Sequence, residues 1–375
     1  MPDKSIYPAT SPAFIIDKQA IQKATDNLAY IREKSGCRIL YSIKALPFVP
    51  LLKWLQPHVD GCSVSSLFEA KLARSVLNLS QSIHLTTPGI RQDEQAELST
   101  ICTHISFNSL SQKNNFHEVS THLSKGLRIN PKLSFSSDNR FDPCRLHSKL
   151  GLNIEEIQRN DFNEIEGLHL HTVFSQQDLS ALIKTLDKIE SYLSDFLPSL
   201  KWVNLGGGYL LQDIADLEPL ITVILRLRKQ YQIDVYLEPG KDIVNKAVSL
   251  VTTVIDCFDS DGKTIAVLDS SINHNPEVFE FQRTPTVLEA DEKGNFSVIL
   301  VGSTCLAGDI FGEYLFNQAI QIGDKISFIN VGAYTMVKAN RFNGYNFPDI
   351  YSVEQGELKC LKHYDYDNYR QQWDD

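Results

Sequence analysis

Arg38-Ile39-Leu40-Tyr41-Ser42-Ile43-Lys44-Ala45-Leu46 is an apolar run with one lysine near its end, closed by Pro47. Ile39, Leu40, Tyr41, Ile43 and Leu46 read as a buried strand, and the proline marks where a following helix begins. An ammonium in such surroundings is either paired or gives up its proton more readily, and a deprotonated lysine is a nucleophile. The plainer reading of this window is a strand-end lysine that snorkels to water. The segments on either side decide between them.

Before it, Pro12 to Asp17 reads as a strand, and Lys18 to Lys34 places Ile21, Leu28 and Ile31 at helical spacing. After it, helices are expected near Val49 to Gln56, from Ser66, near Asp93 to Ser99 and near Gln112 to Leu123. They alternate with strands at Val59 to Val64, Ile83 to Thr87, His104 to Asn108 and Leu127 to Asn130. An irregular, partly basic stretch from Pro131 to Asn153 interrupts the alternation, which resumes with a strand at Ile165 to His171 and a helix from Gln177 to Phe196. Trp202 to Leu205 then leads into Gly206-Gly207-Gly208, a helix from about Asp213 to Gln230, and a last strand ending Glu238-Pro239-Gly240. About eight strand–helix units over this length predict an α/β fold, a (β/α)8 TIM barrel, with a doubly wound open sheet as the competitor. The position of the polar residues favours the barrel. Lys44, Asn108, Arg128, His171, the three glycines and Glu238 all fall at or just past strand C-termini, which converge on one face of a barrel.

From about Lys246 short β-rich segments replace the helices: Ala247 to Ile255, Thr264 to Leu268, Phe296 to Val301, Lys325 to Val331 and Glu357 to Leu361. The expected organisation is a barrel over residues 18–242 and a C-terminal all-β domain made of 243–375 with 1–17. A formal net charge of -10 argues against nucleic acid and anionic membrane as general partners. Seven scattered cysteines without Cys-x-x-Cys pairs suggest neither disulfides nor a metal site. With no leader-like segment and no membrane-spanning run, a cytoplasmic protein is expected.

The glycine run after a strand suits a phosphate, because glycine lets backbone N–H groups approach the oxygens and a following helix adds its dipole. A plain tight turn is the other reading. Glu238 is a carboxylate at a strand end, where a structural ion pair is common. Taken with Lys44, the three features match the needs of pyridoxal 5′-phosphate: an imine-forming lysine, a phosphate cradle and a carboxylate for the protonated pyridine nitrogen. His169 and His171 share one face of their strand; they suit a metal, a satisfied core or, for His171, stacking on a flat ring. Cys305, in the polar loop Gly302 to Asp309, is either a small buried residue or a proton donor.

Several motifs run nearly end to end in one order: Lys44, Asp60 to Ala70, Phe107 to Gln112, Asp142-Pro143-Cys144, Ser148 to Gly151, Gly167 to Thr172, the glycine run, Glu238-Pro239-Gly240, Thr304 to Asp309 and Gly332-Ala333-Tyr334-Thr335. Together they resemble the fold-type III pyridoxal phosphate-dependent decarboxylases, the ornithine and diaminopimelate decarboxylase group. Within it the chain is most similar to the carboxynorspermidine and carboxyspermidine decarboxylases. The resemblance implies a barrel of the alanine racemase type and decarboxylation of an amino acid with a basic tail, in polyamine biosynthesis. The alternatives are the same chemistry on a diaminopimelate- or ornithine-like amino acid, or a non-catalytic pyridoxal phosphate carrier.

The resemblance also implies roles. Lys44 would bond the cofactor, His171 would stack on its ring, and Gly206, Gly207, Gly208, Gly240, Lys241 and Tyr334 would surround its phosphate. Glu238 would pair with the ring nitrogen, a choice that favours decarboxylation over racemisation. Cys305 would protonate the α-carbon after carbon dioxide leaves, and Asp269, His274, Asp309, Cys305 and Tyr334 would contact substrate. Cys305 and Tyr334 would come from the partner of a head-to-tail homodimer, with Lys149 and Asp309 able to pair across it. Lys241, Phe174 and Ser175 depart from the pattern, which has an acidic residue, a cysteine and a glutamate at those places.

Overall fold

In the computed structural model, which describes residues 7–374, the chain divides into two compact units. One comprises Ala24–Asp242; the other comprises the described residues up to Lys23 with those from Ile243 onward. Strand β1 (Ala13–Asp17) runs into helix α1 (Lys18–Ser35), whose first amides at Gln19 and Ala20 donate to Asp17 Oδ1 at 2.8 and 3.2 Å.

The first unit is the barrel expected from the alternation. Its strands are β2 (Arg38–Ser42), β3 (Gly61–Val64), β4 (Ser82–Thr86), β5 (His104–Phe107) and β6 (Ser124–Asn130), with a two-residue β7 (Leu152–Asn153) beside β6. They continue with β8 (Gly167–Leu170), β9 (Trp202–Asn204) and β10 (Asp234–Leu237). The pairing runs β5-β4-β3-β2-β10-β9-β8-β6, all parallel, and β5 pairs with β6 to close the ring. Helices α2 (Val49–Leu55), α3 (Leu67–Val76), α4 (Gln95–Ile101), α5 (Leu110–Asn114), α6 (Ser180–Leu193) and α7 (Glu218–Tyr231) lie between strands. In α3 the start signal is local: the Glu69 amide donates to Ser66 Oγ while the Glu69 carboxylate accepts from the Ser65 amide. On α6 the buried residues Ala181, Leu182, Thr185, Leu186, Ile189 and Leu193 recur at helical spacing, which is the face the alternation predicts.

The interior is filled where the strands begin. Trp202, the first residue of β9, covers Gly126 and Gly167, where a methyl group would lie 2.4 and 2.0 Å from its ring atoms. Its indole N–H donates to Ser124 Oγ at 2.8 Å. The stacked imidazoles of His84 and His104 (3.8 Å between centroids), Tyr236 and Leu40 complete this layer. The core at this end leaves the opposite ends of the strands for the polar residues.

Three local expectations are corrected. The helix expected over Gln112 to Leu123 is only the five residues of α5, because the amides of His117 and Val119 donate to Gln95 and Ser99 side chains of α4 instead of to their own segment. Lys44 is not on the strand but in a 3-10 turn, Ile43–Ala45, that follows β2. The glycine run does not open a helix: a 3-10 turn at Leu211–Asp213 intervenes and α7 begins at Glu218, so no helix dipole bears on it.

The second unit is built on one mixed sheet. Its later strands are β11 (Val248–Ser260), β12 (Lys263–Leu268), β13 (Thr286–Val287), β14 (Phe296–Val301), β15 (Ile310–Phe316), β16 (Lys325–Ile329), β17 (Asp349–Glu354) and β18 (Glu357–Lys362). The order is β15-β14-β12-β11-β1-β17-β18, with β16 on β11 and β13 on β16. Strand β15 escapes a sequence reading because Gly312 sits at its centre with φ 146° and breaks the alternation. Among the described residues no helix is long and apolar enough to cross a membrane.

Candidate active site

A cavity of about 510 Å3 in the barrel unit is lined by Lys44, Arg128, His169, His171 and Glu238, with Phe141 and Phe174 farther out. Two backbone contacts bring the lysine and the carboxylate to one place. The Ser42 amide, at the end of β2, donates to Pro239 O at 2.9 Å, and Gly240 lies so close that a Cβ there would be 2.8 Å from Ser42 Cβ. The Glu-Pro-Gly turn therefore seats directly against the turn that carries Lys44.

Lys44 opens to the cavity, so water reaches it, yet it lies deep enough that the surrounding protein pushes its pKa below the usual lysine range. Glu238 offsets part of that effect, and Arg128 adds to it. Arg128, buried on β6, is itself lowered to about 10 by burial and remains a cation. Burial works against the charge of Glu238, but His169, Lys44 and His171 outweigh it and hold this carboxyl well below the usual carboxylate range. Both of its oxygens are engaged: Asn204 Nδ2–H donates to Oε1 at 2.7 Å, and His169 Nε2–H donates to Oε2 at 3.2 Å. An ionised carboxylate only accepts, so the His169 proton sits on Nε2. Burial holds His171 well below the usual histidine range, and its Nδ1 accepts the Gly207 amide at 3.3 Å, which puts its proton on Nε2 as well.

The glycine run is thus spent differently from the expectation. The Gly206 amide donates to Asn204 Oδ1 at 2.9 Å and the Gly207 amide to His171, so two of the three N–H groups orient side chains. The Gly208 and Gly240 amides have no acceptor among the described residues. Glycine is required at 206 because φ is +70° and a Cβ would meet Leu170 O at 2.1 Å, and at 207 because a Cβ would meet Glu238 O at 2.2 Å.

In the β unit, Cys305 is exposed on the turn between β14 and β15, its amide donating to Asn343 Oδ1 at 3.0 Å. Tyr334 has φ 64°, and burial pushes its phenol up to about 12. Of the other three residues expected to touch substrate, Asp309 and His274 are buried and Asp269 is half-buried. Asp309 is 3% exposed and accepts from the Ile272 amide, the Thr304 amide and the Thr304 hydroxyl, which shapes the loop carrying Cys305. Asp269 accepts from the Thr253 amide and the Ser11 hydroxyl. His274 is fully buried with Nδ1 against Ser270 Oγ at 3.0 Å. Each of these side chains has a hydrogen-bond partner within its own unit.

The family described as "Pyridoxal-dependent decarboxylase, C-terminal sheet domain" matches residues 14–332. The chain belongs to this family of pyridoxal-dependent decarboxylases. It is 34% identical to the carboxynorspermidine/carboxyspermidine decarboxylase of Campylobacter jejuni, over 96% of this chain and 97% of that one. It is 32% identical to the carboxyaminopropylagmatine decarboxylase of Synechocystis, over 96% and 94%. Among solved structures, carboxynorspermidine decarboxylase from Campylobacter jejuni, complexed with norspermidine, superposes with a TM-score of 0.89 at 32% identity, over 97% of this chain and all of that one. Diaminopimelate decarboxylase from Helicobacter pylori, with a TM-score of 0.83 at 19% identity over 97% of each chain, shares the fold.

Two of the three departures from the family pattern meet in space. Lys241 Nζ lies 5.2 Å from the Phe174 ring centroid, and Phe174 stacks on Phe141 at 4.8 Å with 14° between planes. Sequence reading missed Asn204 and undervalued His169. Asn204 directly precedes the last apolar residue before the glycines, and His169 shares a strand face with His171; those two positions were the available signals.

Proposed function

We propose that this decarboxylase acts on a carboxyaminopropyl amine, with carboxynorspermidine or carboxyspermidine as substrate, in polyamine biosynthesis. The single observation that carries the reading is identity above 30% along nearly the whole chain to relatives named for such substrates, against 22–24% for diaminopimelate decarboxylases. A second substrate, carboxyaminopropylagmatine, is favoured by the equally long 32% match to the Synechocystis enzyme.

The residues lining the cavity fit pyridoxal 5′-phosphate. Lys44 would hold it covalently, with a lowered pKa that makes its amine a ready nucleophile. Glu238, fixed as an anion, would face the pyridine nitrogen, His171 would lie on the ring, and the Gly208 and Gly240 amides would receive phosphate oxygens. Lys241 would extend that phosphate site, as would Tyr334 from the partner of a homodimer. When bound, the cofactor supplies a sink for the electron pair left on the α-carbon as carbon dioxide departs. Cys305, from the partner of a homodimer, would return a proton to that carbon. Asp309 then acts by shaping the Cys305 loop.

The test is carbon dioxide release across carboxynorspermidine, carboxyspermidine, carboxyaminopropylagmatine, diaminopimelate, ornithine, lysine and arginine, with Lys44→Ala as control. The highest kcat/KM is expected for a carboxyaminopropyl amine and none for the control. A preference for diaminopimelate or ornithine would overturn the substrate assignment.

A further inference from the structure

Glu238 has both carboxylate oxygens engaged by side chains, and its two partners differ in how they are themselves held. Asn204, with no exposed surface, is fixed from both ends, since its Oδ1 accepts the Gly206 amide and its Nδ2 donates to Glu238. Exchanging the two atoms would set oxygen against carboxylate. His169 is 2% exposed and lines the cavity; among the described residues its polar contact is Glu238, and its Nδ1 has no partner. The hydrogen bond to Glu238 is therefore the polar contact that fixes this ring among the described residues, unlike buried His84, whose nitrogens meet no partner there. Here the cost of one orphaned nitrogen is borne while the other meets the carboxylate.

We propose that His169 is a positioning residue which, with Asn204, clamps the Glu238 carboxylate so that a proton shared with the pyridine nitrogen of the cofactor stays on the ring. The inference rests on the reading that Glu238 faces that nitrogen. Its physical basis is simple: each donor stabilises the charged carboxylate and weakens its hold on a proton. With two donors in place, the shared proton resides on nitrogen, the state in which the ring accepts electrons best. With one removed, the carboxylate competes for it. The other titratable or charged groups that act on Glu238 are Lys44, His171, Arg128 and His84. His169 differs from them by donating a hydrogen bond straight to the carboxylate. Its ring is parallel to that of His171 (4° between planes, 6.3 Å between centroids), the residue that follows β8 directly.

The two nitrogens of His169 make the test sharp. Glutamine places an amide N–H near the position of Nε2, whereas asparagine reaches only as far as Nδ1. Full-length H169Q, H169N, E238Q and wild-type proteins are reconstituted with pyridoxal 5′-phosphate, and the visible absorbance of the bound cofactor is followed across pH, alongside kcat and KM for decarboxylation. H169N is expected to shift the pH at which the absorbance changes and to lower kcat roughly ten- to a hundredfold, the loss of one charge-assisted hydrogen bond, with KM changed much less. H169Q is expected to keep the wild-type titration and most of kcat. If H169N and H169Q behave alike, whether both normal or both impaired, His169 has only a structural part and the inference is overturned. If H169N does not fold, an altered titration in H169Q overturns it alone. E238Q separates the levels: a changed titration there with an unchanged one in H169N removes the clamp but keeps Glu238, whereas an unchanged titration in E238Q removes the reading beneath both.

Discussion

Substituting Gly167 by alanine should destabilise the barrel by driving a methyl group into Trp202. The added Cβ would lie 2.0 Å from Cδ2, 2.1 Å from Cε2 and 2.4 Å from Cε3 of the indole. Carbon atoms settle about 3.5–4.0 Å apart, so the ring must retreat by roughly 1.5 Å. It has little room, being edged by His84 at 5.9 Å and His104 at 5.4 Å and tied to Ser124 by its N–H at 2.8 Å. Overpacking costs about 1–3 kcal/mol, and displacing the buried indole N–H from its half-buried partner adds about 1–3 kcal/mol. A total of about 2–5 kcal/mol corresponds to a lowering of Tm by roughly 5–15 °C for a domain of this size. The assay is a double-mutant cycle with Trp202→Leu, by thermal or urea denaturation. If the clash is the mechanism, the leucine relieves it and G167A costs less in the W202L background. Additive effects, or a G167A protein that melts with the wild type, would refute the packing argument.

Two further outcomes are expected. Burial lowers His274 and His104 to about 4 in the folded chain, so the unfolded chain binds more protons between pH 6.5 and 4, and their contribution to stability is complete above about 6.5 and is lost as pH falls toward 4. For buried His274 the loss is on the order of 3 kcal/mol, and H274Q should flatten the dependence of Tm on pH in that window; an unchanged slope would count against it. Cys305→Ala should bind the cofactor normally, as read from its visible absorbance, but lose productive turnover; wild-type rate and product would remove its role as proton donor.

How much of this was legible in the sequence follows from the range of the interactions. The barrel was readable because alternation of strand and helix is a local pattern, and because polar residues at strand ends gain meaning only on one converging face. Lys44 and Glu238 were readable as a pair for the same reason, although the turn that lifts Lys44 off its strand was not. The short α5 was misread because the amides beyond it are satisfied by Gln95 and Ser99, partners a helical pattern cannot announce. Asp269, His274 and Asp309 were assigned by resemblance to contact substrate. Their hydrogen bonds within the β unit depend on donors and acceptors that the sheet brings together, which a one-dimensional reading does not show.

The departures at Phe174 and Lys241 carry the same lesson into specificity. Read separately, the phenylalanine in place of a cysteine is a neutral exchange, whereas the lysine in place of an acid argues that the pocket has lost its preference for a cation. In the fold they are one feature: the lysine lies over one aromatic ring, and that ring is stacked on Phe141. A cation over a ring is attracted to its face, so part of the lysine's charge is balanced within the wall itself. Residues in such contact do not act additively. The charge seen by a substrate at this rim therefore follows from the Lys241–Phe174–Phe141 arrangement as a whole, and exchanging either residue alone would expose a different surface from the one that exchanging both would leave.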